Sequence, residues 1–433
     1  MSQNEEDGGF EDESDLAEDA LPPEPKDAIP INLDRLFPWH RPRKQKVRKD
    51  QWVKLARNLI DKLQERGILT SPERTLPDGT QLRVPPEIRY LTLPGPDYLD
   101  VRLMGNMCTD KGCSLTSVSF LEDAKEASVM ARARIRETAL IQANYINDTS
   151  TLIPRAFETI CGVSSSTHKD LSRRGSFHIV NIDACGSIAP ASADHSRRLV
   201  DAIYRLIELQ LSKANHRWLF FLTVDARGGD MDAETFNKLC DAVRENAGKS
   251  EEFKSGTIDF FKPDATDINQ AIEHAKNENG RSFLDLFALG FSKWLLHLAE
   301  QKQWHVKLKN SHCYSTRKQT DPQPSMCSLA IEFFPPPAAL PDPIGVTRQQ
   351  PSQSNPLPDP SMQILNAAKE IDDLDALLES DAELSAALNA ETHALLSEIG
   401  YQADALSPLL EPRIQGQPTP PHRFPDLVYQ QGN

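Results

Sequence analysis

A chain of 433 residues with 63 acidic and 48 basic side chains carries a formal net charge of −15, and 39% of its residues are apolar. Such a length suffices for one large buried core or two smaller ones. No stretch approaches the ~18 uninterrupted apolar residues of a membrane span, because the most apolar segment, Phe283–Leu298, is broken by Asp285, Ser292, Lys293 and His297, so no membrane partner is expected.

The charge is unevenly spread. Residues 1–27 and 363–411 each hold 11 acids and one Lys, which leaves 41 acids against 46 basic residues elsewhere. The body is mildly basic between acidic flanks. Seven cysteines, with no regular pairing pattern and no secretory leader, point to a reducing, cytoplasmic setting. Cys108 and Cys113 flank a short turn, but no second pair or His cluster completes a zinc spacing, and no metal is expected.

In chain order, residues 1–30 are acidic, carry Pro22, Pro23 and Pro25, and have almost no apolar periodicity. They bury too little apolar surface to offset their ordering entropy and read as a disordered tail. Residues 31–86 read as a basic arm, a helix and a connection. The arm interleaves Arg41, Arg43, Lys44, Lys46, Arg48, Lys49, Lys54 and Arg57 with Trp39 and Trp52. It is either a phosphate-contacting surface for nucleic acid or a solvated lead-in that also pairs with the acidic tail. Asp50 is placed as the N-cap of a helix to Arg66, with Trp52, Ala56, Leu59, Ile60 and Leu63 as its stripe. Turn signals follow at Pro72 and at Pro77-Asp78-Gly79.

Strand-like and helix-like segments then alternate. Strands are expected at 89–93, 115–121, more weakly 145–152, then 177–182 and 218–224. Helices fall at 100–107, about 124–143, 195–213 and 233–245. Repeated βα units predict a parallel sheet with helices on both faces. After a less regular insertion over 247–280 comes a helix at 282–301. The strands at 304–309 and 326–334 have no room for a helix between them and so pair antiparallel. Residues 336–360 form a Pro-rich linker. Residues 361–406 read as an acidic helical hairpin, with one stripe through Ile364, Leu365, Ala368, Ile371, Leu374 and Leu378. A second stripe through Leu384, Leu388, Leu395 and Ile399 opens on a Ser380/Glu383 capping box. The hairpin either docks on the body or binds a protein partner, and residues 407–433 form a Pro-rich tail.

Asp183 closes the strand over 177–182 and precedes a turn with Gly186 and Ser187. In open α/β sheets ligands collect at the carboxyl ends of strands, so Asp183 is a candidate site residue or, more plainly, a strand end or helix cap. Asp225, Arg227, Asp230 and Asp232 follow the fifth strand on the same rim, where helix capping explains them most economically. Cys185 has no neighbouring base to form a thiolate and reads as a buried small residue.

Five βα units, a helix and an antiparallel hairpin over about 87–335 resemble class I S-adenosylmethionine-dependent methyltransferases. The resemblance implies an α/β doubly wound, mostly parallel sheet with S-adenosylmethionine as cofactor. The family's Gly-rich loop corresponds to Leu93-Pro94-Gly95-Pro96-Asp97, which implies Gly95 and Asp97 as cofactor contacts. Two prolines there remove two backbone donors. The resemblance further implies Glu122, with Asp123 beside it, as acceptor for the ribose hydroxyls, while a helix N-terminal acid is the plain alternative. Ile182-Asp183-Ala184-Cys185-Gly186-Ser187 resembles the Asp-Pro-Phe-Gly-Ser motif of tRNA guanine-N2 methyltransferases and the related motif of three-Cys-motif partner proteins. That likeness implies Asp183 as the catalytic acceptor for a target amine, Gly186 near the cofactor, and nucleic acid as substrate. Ala184 and Cys185 stand where the motif has Pro and an aromatic. Two readings stay open: a methyltransferase that meets nucleic acid through 41–57, or a catalytically inactive Rossmann-like subunit of a multi-component bacterial, possibly defence, system.

Overall fold

The computed structural model describes residues 38–71, 73–75, 77–122, 127–184, 186–191, 198–278, 280–315, 323–336 and 359–401. The acidic N-terminal tail, nearly all of the Pro-rich linker and the C-terminal tail lie outside the described residues. The chain enters through a 3-10 turn, Pro38–His40, and one continuous helical run: α1 (Pro42–Lys46), a π-helical stretch (Val47–Val53) and α2 (Lys54–Glu65). A small hairpin, β1 (Glu73–Thr75) and β2 (Gln81–Arg83), turns where Asp78 Oδ1 accepts from the Thr80 N–H at 2.9 Å. The alternation then runs β3 (Glu87–Thr92), α3 (Leu99–Asp110), β4 (Ser114–Phe120), α4 (Ala127–Gln142), β5 (Thr151–Ile153), α5 (Ser166–Arg174), β6 (Ile179–Asp183), α6 (Leu199–Lys213), β7 (Trp218–Asp225) and α7 (Ala233–Ala247). It continues with α8 (Glu251–Phe261), α9 (Ile268–Asn277), α10 (Arg281–Glu300), β8 (His305–Leu308), β9 (His312–Tyr314) and β10 (Met326–Phe334). The last elements are α11 (Pro360–Lys369), β11 (Asp372–Asp373), α12 (Leu374–Ser380) and α13 (Ala382–Glu398).

Nine strands form one sheet in the order β11-β9-β10-β7-β6-β3-β4-β5, with β8 also paired to β10. The strands from β5 to β7 are mutually parallel, and β10 runs antiparallel to β7. Strand order reverses between β3 and β6, so a crevice opens outside their carboxyl ends. Side-chain alternation sorts the core into two layers. Leu91, Val180, Phe220 and Leu222 face α6, α7 and α10, whereas Tyr90, Ile179, Leu219 and Phe221 face α2, α3 and α4. Because both faces are covered, β7 reads as an apolar run, Trp218–Val224, broken only by Thr223. No helix among the described residues is long and apolar enough to cross a membrane.

Four expectations need correction. The stretch over 247–280 is two helices, whose caps Ser250 and Asp267 accept from the N–H groups of Phe253 and of Asn269 and Gln270. Asp50 caps nothing; it lies inside the helical run and pairs with Lys46 one turn back. Asp381, not Ser380, caps α13, accepting from the Leu384 N–H at 2.8 Å. Finally, the acidic segment is not a simple hairpin but three helices and a short strand, and it docks on the body, the first of its two expected roles. Ile364, Leu365, Ala368 and Ile371 belong to the main core, and β11 adds a parallel strand to β9. Arg281 fastens it, pairing with Asp285 and donating to the Ile371 carbonyl at 2.5 Å.

Lys293 tests this docking. Its side chain is 1% exposed, and its Nζ donates to Asn246 Oδ1 of α7 at 2.8 Å and Ser361 Oγ of α11 at 2.5 Å. Burial pulls its pKa from 10.5 down to about 8. Between those values the unfolded chain binds more protons than the folded one, so stability should rise with pH across that window. The unfolding free energy of wild type minus that of Lys293→Met is therefore expected to climb from pH 8 to 10.5. A flat difference in denaturant titrations would mean that burial does not depress the Lys293 pKa.

Candidate functional site

At the reversal point, the loop after β3 and the end of β6 bring Asp97 and Asp183 to one crevice mouth. Gly95 turns the loop with φ +62°, and Tyr98 adopts φ 53°, ψ 32° just before α3. A bulky residue in the left-handed region costs about 1–3 kcal/mol, and the sharp turn buries the adjacent Asp97 to 2% exposure. His40 Nε2 lies 2.9 Å from Asp97 Oδ2, with Trp39 Nε1 and the Tyr401 hydroxyl each at 3.4 Å. Arg132 Nε approaches Oδ1 at 3.5 Å. Burial alone would raise the Asp97 pKa, but the hydrogen bond and charge of His40, then Arg132 and Trp39, outweigh it and hold the carboxyl below its usual range. Burial also lowers the His40 pKa against the pull of Asp97. The two groups thus sit 2.9 Å apart in one buried cluster, with His40 favouring the ionised form of Asp97.

Asp183 does not face an open crevice. Lys44 Nζ lies 2.5 Å from Asp183 Oδ1, and the lysine side chain is 5% exposed against 22% for the aspartate. The same ammonium sits 4.7 Å above the Trp52 ring. Arg48, one turn on, is buried and donates Nη2–H to the Trp39 carbonyl at 2.7 Å. Its pKa is lowered by burial and supported by the charges of Asp183, Asp100 and Asp97. Beneath lies a polar chain: Asn181 Nδ2 donates to the Tyr90 hydroxyl at 2.9 Å, which donates to Asp100 Oδ2 at 2.7 Å, where Thr92 Oγ1 also donates at 2.5 Å. Burial raises the Asp100 pKa despite those donors.

The predicted site residues are therefore dispersed. Asp97, Asp183, Lys44 and Arg48 come together. Glu122 is exposed at the end of β4, with its charge felt by half-buried Glu158; Asp123 and Cys185 lie outside the described residues. Gly186 is exposed, and its carbonyl accepts from the Asp225 N–H at 3.1 Å. Arg41 caps α1 through its carbonyl, Arg43 pairs with Asp375 of α12, Lys46 with Asp50, and exposed Lys49 with Glu391 of α13 at 2.5 Å. The basic stretch is thus helical, and Arg43, Lys44, Lys46 and Lys49 pair with acids of this same chain. Asp225 and Asp230 both pair with Arg227, and Asp232 caps α7. Burial pushes the Cys108 and Cys113 thiols up, away from the thiolate that a metal needs.

These residues can be tested against S-adenosylmethionine. Glu122 fits a ribose diol. The rest do not fit as folded: Pro94 and Pro96 offer no N–H, Lys44 occupies the Asp183 carboxylate, and Asp97 is spent on four protein partners. Two concavities of about 240 Å³ lie elsewhere, one between the π-stretch and α3 (Gln45, Lys49, Met107) and one at the amino ends of β3 and β4 (Glu87, Arg89, Thr116). Both are below the ~300 Å³ at which small-molecule pockets begin.

Strand order and the antiparallel β10 define a methyltransferase-like α/β fold. Residues 33–411 match the model of the PP_RS20740-like family, and the chain belongs to that family. No curated protein matches. Among solved structures, a protein of Pyrococcus horikoshii provisionally assigned as a transferase is similar at 7% identity and TM-score 0.25, over 58% of this chain. This chain spans 59% of that protein's length. An rRNA methylase of Streptococcus thermophilus is similar at 9% identity and TM-score 0.28, over 66% of this chain and 96% of that one. Likeness at that level carries no weight for substrate or reaction.

Removing Asp97 should strand buried His40 and Arg132 without their acid. Asp97→Ala is expected to cost about 3 kcal/mol in chemical denaturation. Hydrogen exchange should also quicken over 38–53 and 395–401 together. Faster exchange at one end only would show that the carboxylate does not couple them.

Proposed function

We propose that this chain is a methyltransferase-fold subunit that keeps its crevice shut with its own N-terminal cations and does not transfer methyl groups. The observation that carries this reading is the Lys44–Asp183 contact, 2.5 Å long with the ammonium 5% exposed. A carboxylate neutralised in this way is a poor acceptor for a substrate amine, because the incoming donor must displace a cation. Loss of two loop donors at Pro94 and Pro96 supports the same reading. Such a subunit acts through its surfaces, among them the acidic α12–α13 face with exposed Glu379, Asp381 and Glu383, and a protein partner in a multi-component bacterial assembly fits that role.

One observation favours the second reading, an S-adenosylmethionine-dependent methyltransferase acting on nucleic acid. Glu122 is exposed at the end of β4, where a vicinal diol would need a bidentate acceptor. On that reading residues 38–53 are a lid. Calorimetry with S-adenosylmethionine separates the two. We expect no heat of binding at millimolar ligand. A dissociation constant below ~1 mM, weakened by Glu122→Ala and spared by Asp183→Ala, overturns the subunit reading in favour of the enzyme.

A further inference from the structure

At the opposite end of the sheet from the crevice, one face carries a convergence of cations. On β8, His305 and Lys307 are exposed and alternate with buried Val306 and Leu308, and Lys309 continues the pattern. Register places Lys307 opposite Glu332 and His305 opposite Phe334, so these side chains share one face. Glu332 is 3% exposed and has three cationic neighbours: Lys309 Nζ at 3.1 Å, Lys62 Nζ at 3.6 Å and Arg217 Nη1 at 3.7 Å. The half-buried Phe334 ring has the Arg217 guanidinium 4.6 Å and the Lys307 ammonium 5.4 Å from its centre. Four cations from three parts of the chain thus surround one carboxylate and one phenyl ring.

Lysines on an edge strand discourage pairing with a second sheet. That accounts for Lys307, but not for Lys62 and Arg217, which reach in from α2 and from the turn before β7. The buried Glu332 gathers more cations than it can neutralise, and Lys62 and Lys309 keep 40% and 30% of their side chains in solvent. We propose that this face binds single-stranded nucleic acid, with Lys62, Arg217, Lys307 and Lys309 toward the phosphates and Phe334 beside a base. Cations around an aromatic on a sheet surface suit unstacked bases, whose flat faces a duplex keeps covered. The face is independent of the crevice, so the proposal stands whether or not S-adenosylmethionine binds.

The test is fluorescence anisotropy of a labelled oligo-dT strand with the full chain over a salt series. Neutralising four phosphates predicts a slope of log K against log salt of about −3, at roughly 0.7 per phosphate. Lys307→Ala with Lys309→Ala should weaken binding by ~10-fold or more and flatten the slope by about 1.4. Lys307→Ala alone, at an exposed position with no ion pair among the described residues, should also weaken binding at an unchanged melting temperature. Glu332→Gln should tighten binding, since it removes the one negative charge; a purely structural network predicts the reverse. Arg43→Ala, at the crevice end, should change nothing. A slope near zero, a duplex that binds as tightly as the single strand, or preference for a phosphopeptide over the oligonucleotide would each overturn the proposal.

Discussion

One ionised carboxylate, Asp97, ties both ends of the described chain to the mouth of the sheet. Taking a carboxylate out of water costs several kcal/mol, and a partial set of partners does not recover that cost. Here the set is assembled from three distant places: the entry turn with Trp39 and His40, Arg132 of α4, and Tyr401 beyond α13. Each partner is fixed in turn by the others. His40 and Tyr401 meet edge to face at 4.9 Å, and Arg136, one turn along α4 from Arg132, donates to the Ile399 carbonyl. The entry turn then sets where α1 begins, and α1 sets where Lys44 reaches. The closed crevice is thus a downstream effect of the Asp97 node.

The sheet beneath is generic by comparison. A parallel sheet with a reversal point supplies a crevice whatever the chemistry performed there. What individualises this chain is how the crevice is covered. Gln51 shows how firmly the cover is seated: its Nε2 donates to the Asn310 and Ser328 carbonyls at 2.8 and 2.9 Å, and its Oε1 accepts from Ser328 Oγ at 2.8 Å. Trp52 packs beside it against Phe221, with ring centres 6.4 Å apart. Two adjacent residues therefore anchor the cover, one by saturating its hydrogen bonds and one by its bulk.

Much of the sheet was legible because buried strands and amphipathic helices write their environment into local periodicity. Met326–Phe334 and Trp218–Val224 could be read almost to the residue. The two helices within 247–280 were hidden because they are short, 11 and 10 residues, although Ser250 and Asp267 signalled both starts. The candidate site was legible only as strand ends, through Asp183 and the loop at Gly95. Its decisive contact joins residues 139 positions apart, and no periodicity encodes a pairing of that range. The run of cations over 41–57 misled for the same reason: a charge is as visible in a sequence when it is paired internally as when it faces solvent. Glu332 was hidden inside an apolar strand, where a lone acid gives no hint of the cations around it.

The π-helical stretch has a geometric consequence for the crevice. It accommodates one residue more than an α-helical path of the same length, as the Lys54 N–H bonding back to the Lys49 carbonyl records. Each residue of an α-helix turns the chain by about 100°. The extra residue therefore sets the azimuth of Lys44 and Arg48 independently of the stripe with which α2 grips the sheet. A chain of this fold with one residue fewer between Val47 and Val53 would keep its grip and swing both cations off the acids by about a quarter turn. Whether the crevice is closed or open is, in that sense, a matter of phase along one helix.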